Sequence, residues 1–324
     1  MPNSRDRFKA VLGAGWILLC LAAFIYARVK SIPAWIALPV AAAFLIEFPF
    51  YLFPGFDAPR RWLSGLGKRN AAALLTASAI VPWLAYSIPT GEFHPAALGL
   101  LIAIAGIVSF WYVVLPASAL TDALFLIVPA AAMLAKAFNF IYLSPIPKVE
   151  LGILGQIMLI RTAALAILTL RKGAVVEFRF IPKANEWRTG ASYFAIMLPF
   201  VGMAYWGLGL VELRPHPYNI LLAAGTFFGI LWFTALSEEF FFRGLLQQWL
   251  GKWTASPIAA LLIASFVFGS AHLGFNHKFP NWRFALVAAI AGVFYGLAWR
   301  SAKSIQASMV THALTVTLWR TFFL

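Results

Sequence analysis

The sequence is a succession of apolar stretches, each long enough for a helix to cross a lipid bilayer. A helix rises about 1.5 Å per residue and needs about 20 residues to span the hydrocarbon core. Hydrophobic residues make up 62% of the 324 residues and charged residues only 11%, so a water-soluble domain could not bury this much apolar surface. We therefore predict an all-α fold, a polytopic transmembrane helix bundle of about 8–11 membrane helices surrounded by the lipid bilayer. The apolar stretches lie near residues 10–27, 32–54, 71–90, 96–116, 119–136, 151–170, 191–211, 219–249, 256–273, 283–299 and 304–323.

Basic residues fall mainly on one side of the membrane when the stretches alternate from a cytoplasmic N-terminus. The inner segments then hold 15 of the 25 lysines and arginines, the outer segments hold 7, and 3 lie within stretches. This distribution follows the positive-inside rule, and it explains the net charge of +14 without nucleic acid as a partner. Short loops and the lack of targeting motifs favour a prokaryotic plasma (inner) membrane. We predict an integral membrane protein with its N-terminus in the cytoplasm and its C-terminus outside.

The longest polar stretch, residues 171–190, marks a boundary in the chain. It is too short to fold alone and is interpreted as a cytoplasmic loop. Before it, the apolar stretches carry few ionisable groups, whereas after it polar groups are concentrated within them. We predict two parts, residues 1–185 and residues 186–324, of which the first is a transmembrane helical module of unknown role.

Two glycine pairs in the second part have the spacing that allows membrane helices to approach closely. They are Gly225/Gly229 and Gly292/Gly296. Small residues four positions apart lie on one helix face and let two backbones pack together in lipid. We expect close helix packing at both pairs.

The most unusual polar cluster is Glu238-Glu239 followed by Arg243 in an otherwise apolar stretch. Ionisable groups inside a membrane are costly, which makes them candidates for function. Glu239 and Arg243 are four residues apart, so they share a helix face and are predicted to form a structural ion pair. Glu238 points about 100° away and lacks that partner. Glu238 is therefore the candidate general base.

Two histidines accompany these acids in later apolar stretches, His272 and His312. Measured along the helices from the inner face, the depths of Glu238, His272 and His312 are about 12–23 Å. None of the three has an evident partner at helical spacing within its own helix. We therefore expect them to meet in one water-accessible cavity, where they would form the catalytic group.

The motifs resemble the CPBP family of intramembrane proteases, which includes the type II CAAX prenyl endopeptidases and bacteriocin-processing relatives. The resemblance covers about residues 190–324, which makes residues 186–324 a CPBP-like intramembrane protease core. It implies hydrolysis of a peptide bond in or near the membrane-embedded segment of a membrane-anchored protein or peptide. The motifs that carry it are Glu238-Glu239-xxx-Arg243, Phe268-xxx-His272 and His312 in the final helix.

The family resemblance also implies roles for the candidate residues. Glu238 would activate water with help from His272, and His312 would help to stabilise the oxyanion. The expected enzyme needs no cofactor. In the alternative mechanism Glu238, His272 and His312 would hold zinc or another divalent metal with one open position.

One position departs from the family pattern, because Val316 stands where the family usually places an asparagine. A donor to the oxyanion can contribute about 3 kcal/mol to catalysis. Thr311 and Thr315 are the candidate replacements. The apolar residue also supports an alternative function, a non-catalytic relative acting as an immunity or membrane-scaffold protein. A transporter is a third reading, but the two matching halves with broken helices that would favour it are not evident.

Overall fold

The computed structural model describes residues 4–171, 176–210, 219–275 and 278–323. Within these ranges the chain forms helices and connecting segments, with no β-strand. Part of the predicted cytoplasmic loop, residues 172–175, lies outside the described residues, as do residue 211 of one predicted stretch and the C-terminal Leu324. The prediction of an all-helical, polytopic bundle is confirmed.

The chain divides into two compact units, Met1–Val175 and Val176–Leu324. The helices of the N-terminal unit are α1 (Ser4–Lys30), α2 (Ala34–Leu52), α3 (Asp57–Gly65), α4 (Lys68–Thr90), α5 (Pro95–Val114), α6 (Ala119–Leu134), α7 (Ala137–Ile141) and α8 (Gly152–Leu165), which continues as a π-helix over Ala166–Leu170.

The helices of the C-terminal unit are α9 (Ala184–Gly207), α10 (Asn219–Gly229), α11 (Leu236–Glu239), α12 (Gln248–Trp253), α13 (Pro257–Ala271), α14 (Trp282–Ala302) and α15 (Ile305–Phe322). Two π-helical segments, Ile230–Ala235 and Phe240–Gln247, join α10, α11 and α12 into one long helical run.

Six of the described helices are long and apolar enough to cross a membrane. The length and composition of these helices confirm the membrane environment. The six helices are fewer than the apolar stretches identified in the sequence. Two further apolar helices are shorter. The six helical spans are Ser4–Lys30, Ala34–Gly55, Lys68–Thr90, Pro95–Val114, Gly152–Leu170 and Trp282–Ala302, and the shorter helices are Ala119–Leu134 and Pro257–Ala271.

Side-chain caps fix where the helices that carry the histidines begin. The Ser256 hydroxyl accepts a hydrogen bond from the Ala259 backbone N–H, and Pro257 occupies the first position of α13. The Ser304 hydroxyl accepts from the backbone N–H of Gln306 at the start of α15. Such caps satisfy backbone donors that the first helical turn leaves unpaired.

Charged side chains inside the N-terminal unit are paired with each other. Arg161 of α8 binds the carboxylate of Glu47 through two nitrogens, and its Nη1 donates to Ser78 Oγ at 2.7 Å. Asp122 accepts hydrogen bonds from Arg171 at 2.6 and 2.8 Å. Both acids are buried, and a buried charge is stable only when it is paired. These groups therefore join helices within the unit.

Glycines bring helices of the C-terminal unit into close contact, but at only one of the two predicted pairs. A Cβ atom at Gly292 would lie 3.3 Å from Arg243 Nη2, and one at Gly296 would lie 2.7 Å from Gln247 Oε1. Gly225 and Gly229 have no described neighbour within 4 Å of that position. The prediction of close packing at Gly225 and Gly229 is not confirmed among the described residues, because glycine spacing does not identify which face meets another helix.

The helix α9 packs closely against the last helix at Gly190. A methyl group there would lie 2.6 Å from the carbonyl oxygen of Ala307 and 2.6 Å from Val310 Cβ. We expect Gly190→Ala to lower the thermal midpoint in detergent, because overpacking at a rigid contact costs about 1–3 kcal/mol. Gly225→Ala is the matched control and should leave the midpoint unchanged or slightly raised. Equal midpoints for the two variants would contradict the crossing.

A polar cluster ties the segment before α9 to the beginning of α15. The buried Glu186 carboxylate accepts hydrogen bonds from Arg179 Nη2 and from the Lys183 backbone N–H, each at 2.5 Å. Gln306 Nε2 donates to the Arg179 carbonyl at 3.0 Å. Burial by itself would raise the pKa of Glu186, but hydrogen bonds from Ser304, Lys183 and Arg179 outweigh it and hold that pKa below its usual value.

The lowered pKa of Glu186 predicts acid sensitivity. The ionised carboxylate stabilises the fold fully above its unfolded pKa near 4.5, and this contribution is lost as the pH falls through the lower folded value. Glu186→Gln should therefore have a lower thermal midpoint than wild type at neutral pH, and the difference should shrink below about pH 4.5. Glu150→Gln, which changes an exposed acid outside this cluster, should show little change at either pH.

Candidate active site

The two adjacent glutamates lie on a helix of unusual geometry. The short α-helix α11 ends at Glu239 and is bounded on both sides by π-helical segments. A π-helix makes hydrogen bonds to the fifth residue along the chain and is often found at functional sites. Glu238 and Glu239 therefore lie between two departures from α-helical geometry.

Glu239 is buried and fully hydrogen-bonded. Its Oε1 accepts from Arg243 Nη1 at 3.0 Å and from His312 Nδ1 at 2.8 Å, and its Oε2 accepts from the Ser308 hydroxyl. An ionised carboxylate can only accept hydrogen bonds, so this contact assigns a proton to His312 Nδ1. His312 Nε2 is then the nitrogen that can take part in chemistry.

Arg243 crosses from the glutamate helix to α14. Its Nη2 donates to the carbonyl of Gly292 at 2.8 Å, and its guanidinium carbon lies 4.7 Å from the centre of the Phe268 ring and 5.3 Å from that of Tyr295. The contacts with aromatic faces add cation–π attraction to the ion pair with Glu239. Arg243 therefore neutralises the buried acid and joins three helices.

Glu238 has a different environment from its neighbour. Its side chain is 31% exposed, and its Oε2 lies 3.9 Å from His312 Nε2. That oxygen is enclosed, yet within the described chain nothing donates a hydrogen bond to it. Glu238 thus keeps an acceptor available beside the reactive nitrogen of His312.

His272 lies at the C-terminal end of α13 and contacts its own helix. Its Nδ1 is 2.8 Å from the carbonyl oxygen of Phe268, four residues earlier. The expectation that each polar group lacks a partner in its own helix was therefore wrong for His272, because a histidine at a helix end can bind an exposed carbonyl. In the described structure Glu238 makes no ion pair with His272, whereas its carboxylate approaches His312.

The Phe268 ring lies between the two histidines. Its centre is 4.7 Å from that of His272 and 5.8 Å from that of His312. The structure thus brings both imidazoles against one aromatic side chain, with Glu238 on the His312 side.

Both candidate oxyanion threonines have their hydroxyls occupied. Thr311 Oγ1 is 2.9 Å from the Gly190 carbonyl oxygen and 3.1 Å from that of Ala307. Thr315 Oγ1 donates to the carbonyl of Thr311 at 2.7 Å. These bonds hold the hydroxyls against backbone carbonyls.

Two residues near His312 had no role in the sequence analysis. Ser308 donates to Glu239, and the buried Tyr295 ring stacks on the His312 imidazole, with centres 4.7 Å apart and planes 13° apart. Ser308 lies four residues before His312, so helical spacing could have placed it on the same face. No sequence signal distinguishes Tyr295 from other aromatic residues of membrane helices.

The alternative metal site requires Glu238, His272 and His312 to surround one ion. Among the residues that the structure describes, no group of three histidine, cysteine, aspartate or glutamate side chains could hold a metal ion. As they lie in the described residues, Glu238, His272 and His312 do not converge on one metal position.

The fold and the buried groups define a class, a polytopic helical membrane protein whose C-terminal unit encloses a glutamate–histidine site. Residues 220–318 of that unit match the family model described as Type II CAAX prenyl endopeptidase Rce1-like. The match confirms the resemblance inferred from the sequence motifs, and the family implies a CAAX-type intramembrane endopeptidase acting on a protein or peptide. No curated protein and no solved structure matches the chain.

The geometry predicts opposite roles in folding for Arg243 and Glu238. Arg243→Ala should sharply lower the yield and thermal midpoint of folded protein, because breaking a buried ion pair costs about 3–5 kcal/mol. Glu238→Gln should keep both near the wild-type values, since Glu238 Oε2 has no hydrogen bond to lose among the described residues. Gel-filtration yield and thermal unfolding in detergent would measure this, and equal losses would contradict the division of roles.

Proposed function

We propose that the C-terminal unit hydrolyses a peptide bond in or near the membrane-embedded segment of a protein substrate, with Glu238 as general base. The contrast between the two adjacent acids supports this role. Glu239 is ion-paired and hydrogen-bonded, while Glu238 Oε2 has no partner in the part of the chain that the structure describes and lies 3.9 Å from His312 Nε2. A base must have a lone pair available to the proton that it removes.

In the proposed reaction Glu238 takes a proton from water, and the water oxygen forms a bond to the carbonyl carbon of the scissile peptide. The carbonyl electron pair moves to oxygen and gives a tetrahedral oxyanion. Its collapse restores the carbonyl and breaks the carbon–nitrogen bond. The proton held by Glu238 passes to the leaving amine, so the carboxylate is regenerated.

The histidines act through their Nε2 atoms in this mechanism. His272 Nδ1 is directed at a backbone carbonyl, which leaves Nε2 to orient the water beside Glu238. His312 Nδ1 donates to Glu239, so its Nε2 carries a proton only when the ring is an imidazolium. With a proton on Nε2, the ring would donate a hydrogen bond to the oxyanion.

The proposed substrate is a membrane-anchored protein or peptide that enters from the bilayer. The protease family named in the match and the apolar helices support this class. Apolar surroundings would strengthen each electrostatic contact in the site, because few water molecules screen the charges there. The proposed membrane is a prokaryotic plasma membrane with the N-terminus in the cytoplasm.

The test compares protein termini in membranes from cells that carry wild-type protein or Glu238→Gln at equal abundance. With the wild-type protein we expect cleaved substrates, seen as new protein termini in or near apolar segments. With Glu238→Gln these termini should be lost, because the water is no longer deprotonated. Glu177→Gln changes an exposed acid and should match wild type. The same termini in wild type and Glu238→Gln would contradict catalysis by Glu238, and a lack of new termini in both would favour the non-catalytic scaffold.

A further inference from the structure

The oxyanion side of the proposed site lacks an evident second donor. Val316 is apolar, whereas the CPBP family usually places an asparagine at this position. The hydroxyls of Thr311 and Thr315 already contact backbone carbonyls. His312 alone would then stabilise the developing charge. Each donor at an oxyanion contributes about 100- to 1,000-fold to the rate of comparable hydrolases, so the identity of a second donor matters.

Trp319 supplies a hydrogen-bond donor on the same face of α15. It follows His312 by seven residues, which is about two helical turns. Its Nε1 atom is enclosed, and no acceptor for it exists among the residues that the structure describes. An enclosed donor without an acceptor is costly and calls for an explanation.

The direction of helical side chains brings the Trp319 indole back toward the site. Side chains in an α-helix lean toward the N-terminus and cover the preceding turn. The turn before Trp319 contains Thr315 and Val316, the position of the missing asparagine. The indole therefore lies beside the turn of α15 from which the asparagine of the family would donate.

Aromatic contacts connect Trp319 with the surroundings of His272. The centres of the Phe275 and Phe284 rings each lie 5.7 Å from that of Trp319. Phe284 in turn lies 5.8 Å from the His272 ring. Tyr205 stacks on the indole from α9 at 6.4 Å. Trp319 is thus held in an aromatic cluster beside one of the two histidines.

We propose that Trp319 Nε1–H donates a hydrogen bond to the oxyanion, in the role that Val316 cannot fill. This inference rests on the proposed function and adds a residue just beyond the matched range 220–318. The ligand is the carbonyl oxygen of the scissile peptide bond. Among the described residues the donor has no acceptor, and in the proposed reaction it gains one as charge develops on that oxygen, which is the condition for stabilising a transition state.

The test measures kcat and KM for Trp319→Phe on a peptide spanning a cleavage site found in the comparison of membranes. Phenylalanine keeps an aromatic ring and removes the N–H group. We expect kcat to fall about 100-fold, with a much smaller change in KM. Val316→Asn restores the family donor and should recover much of the lost kcat in the Trp319→Phe background, while adding little to wild type.

Controls separate this role from a structural one. Trp206→Phe changes a tryptophan that is 80% exposed and should leave kcat unchanged. Without substrate, Trp319→Phe should have nearly the wild-type thermal midpoint, since the described residues offer Trp319 Nε1 no hydrogen bond to lose. A large fall in that midpoint, an unchanged kcat, or a rise in KM alone would overturn the role of Trp319. Cleavage that persists in Glu238→Gln would instead overturn the proposed base, so the two failures are distinguishable.

Discussion

A buried carboxylate organises the C-terminal unit. Glu239 is a charge within an apolar bundle, and such a charge is tolerated only when cations and hydrogen-bond donors surround it. Arg243, Ser308 and His312 meet this requirement together. Because these groups come from different helices, satisfying one acid fixes the contact of the glutamate helix with α15, and Arg243 extends that contact to α14 through Gly292.

Two neighbouring residues of the same type thereby acquire different chemistry. The first acid, Glu238, is partly exposed, while the second is enclosed by donors. The enclosed acid also controls the histidine, because its contact with Nδ1 directs Nε2 of His312 toward Glu238. Structural stability and the proposed reactivity are thus coupled through a single imidazole, whose two nitrogens face the two acids.

The sequence predicted what depends on local spacing and composition. Apolar length identified membrane helices, and the four-residue interval identified the pair of Glu239 and Arg243. Contacts between helices could not be read in this way. The bond from His312 to Glu239 joins residues 73 positions apart. The stacking of Tyr295 depends on helix rotation, and Gly225 has the expected spacing on a face where no described residue lies close. Each of these depends on how helices are turned in the bundle, which a one-dimensional pattern does not specify.

The π-helical segments on either side of α11 have a consequence for how the chain can vary in length. A π-turn holds about one residue more than an α-turn, since its hydrogen bonds reach the fifth residue instead of the fourth. Loss of one residue within Ile230–Ala235 could be absorbed by conversion to α-helix, while the glutamates and the Glu239–Arg243 interval stay as they are. The number of residues between the acidic pair and the N-terminal end of its helix can therefore change by one without turning the acids to another face. A search that demands fixed intervals there would overlook chains with the same three-dimensional arrangement.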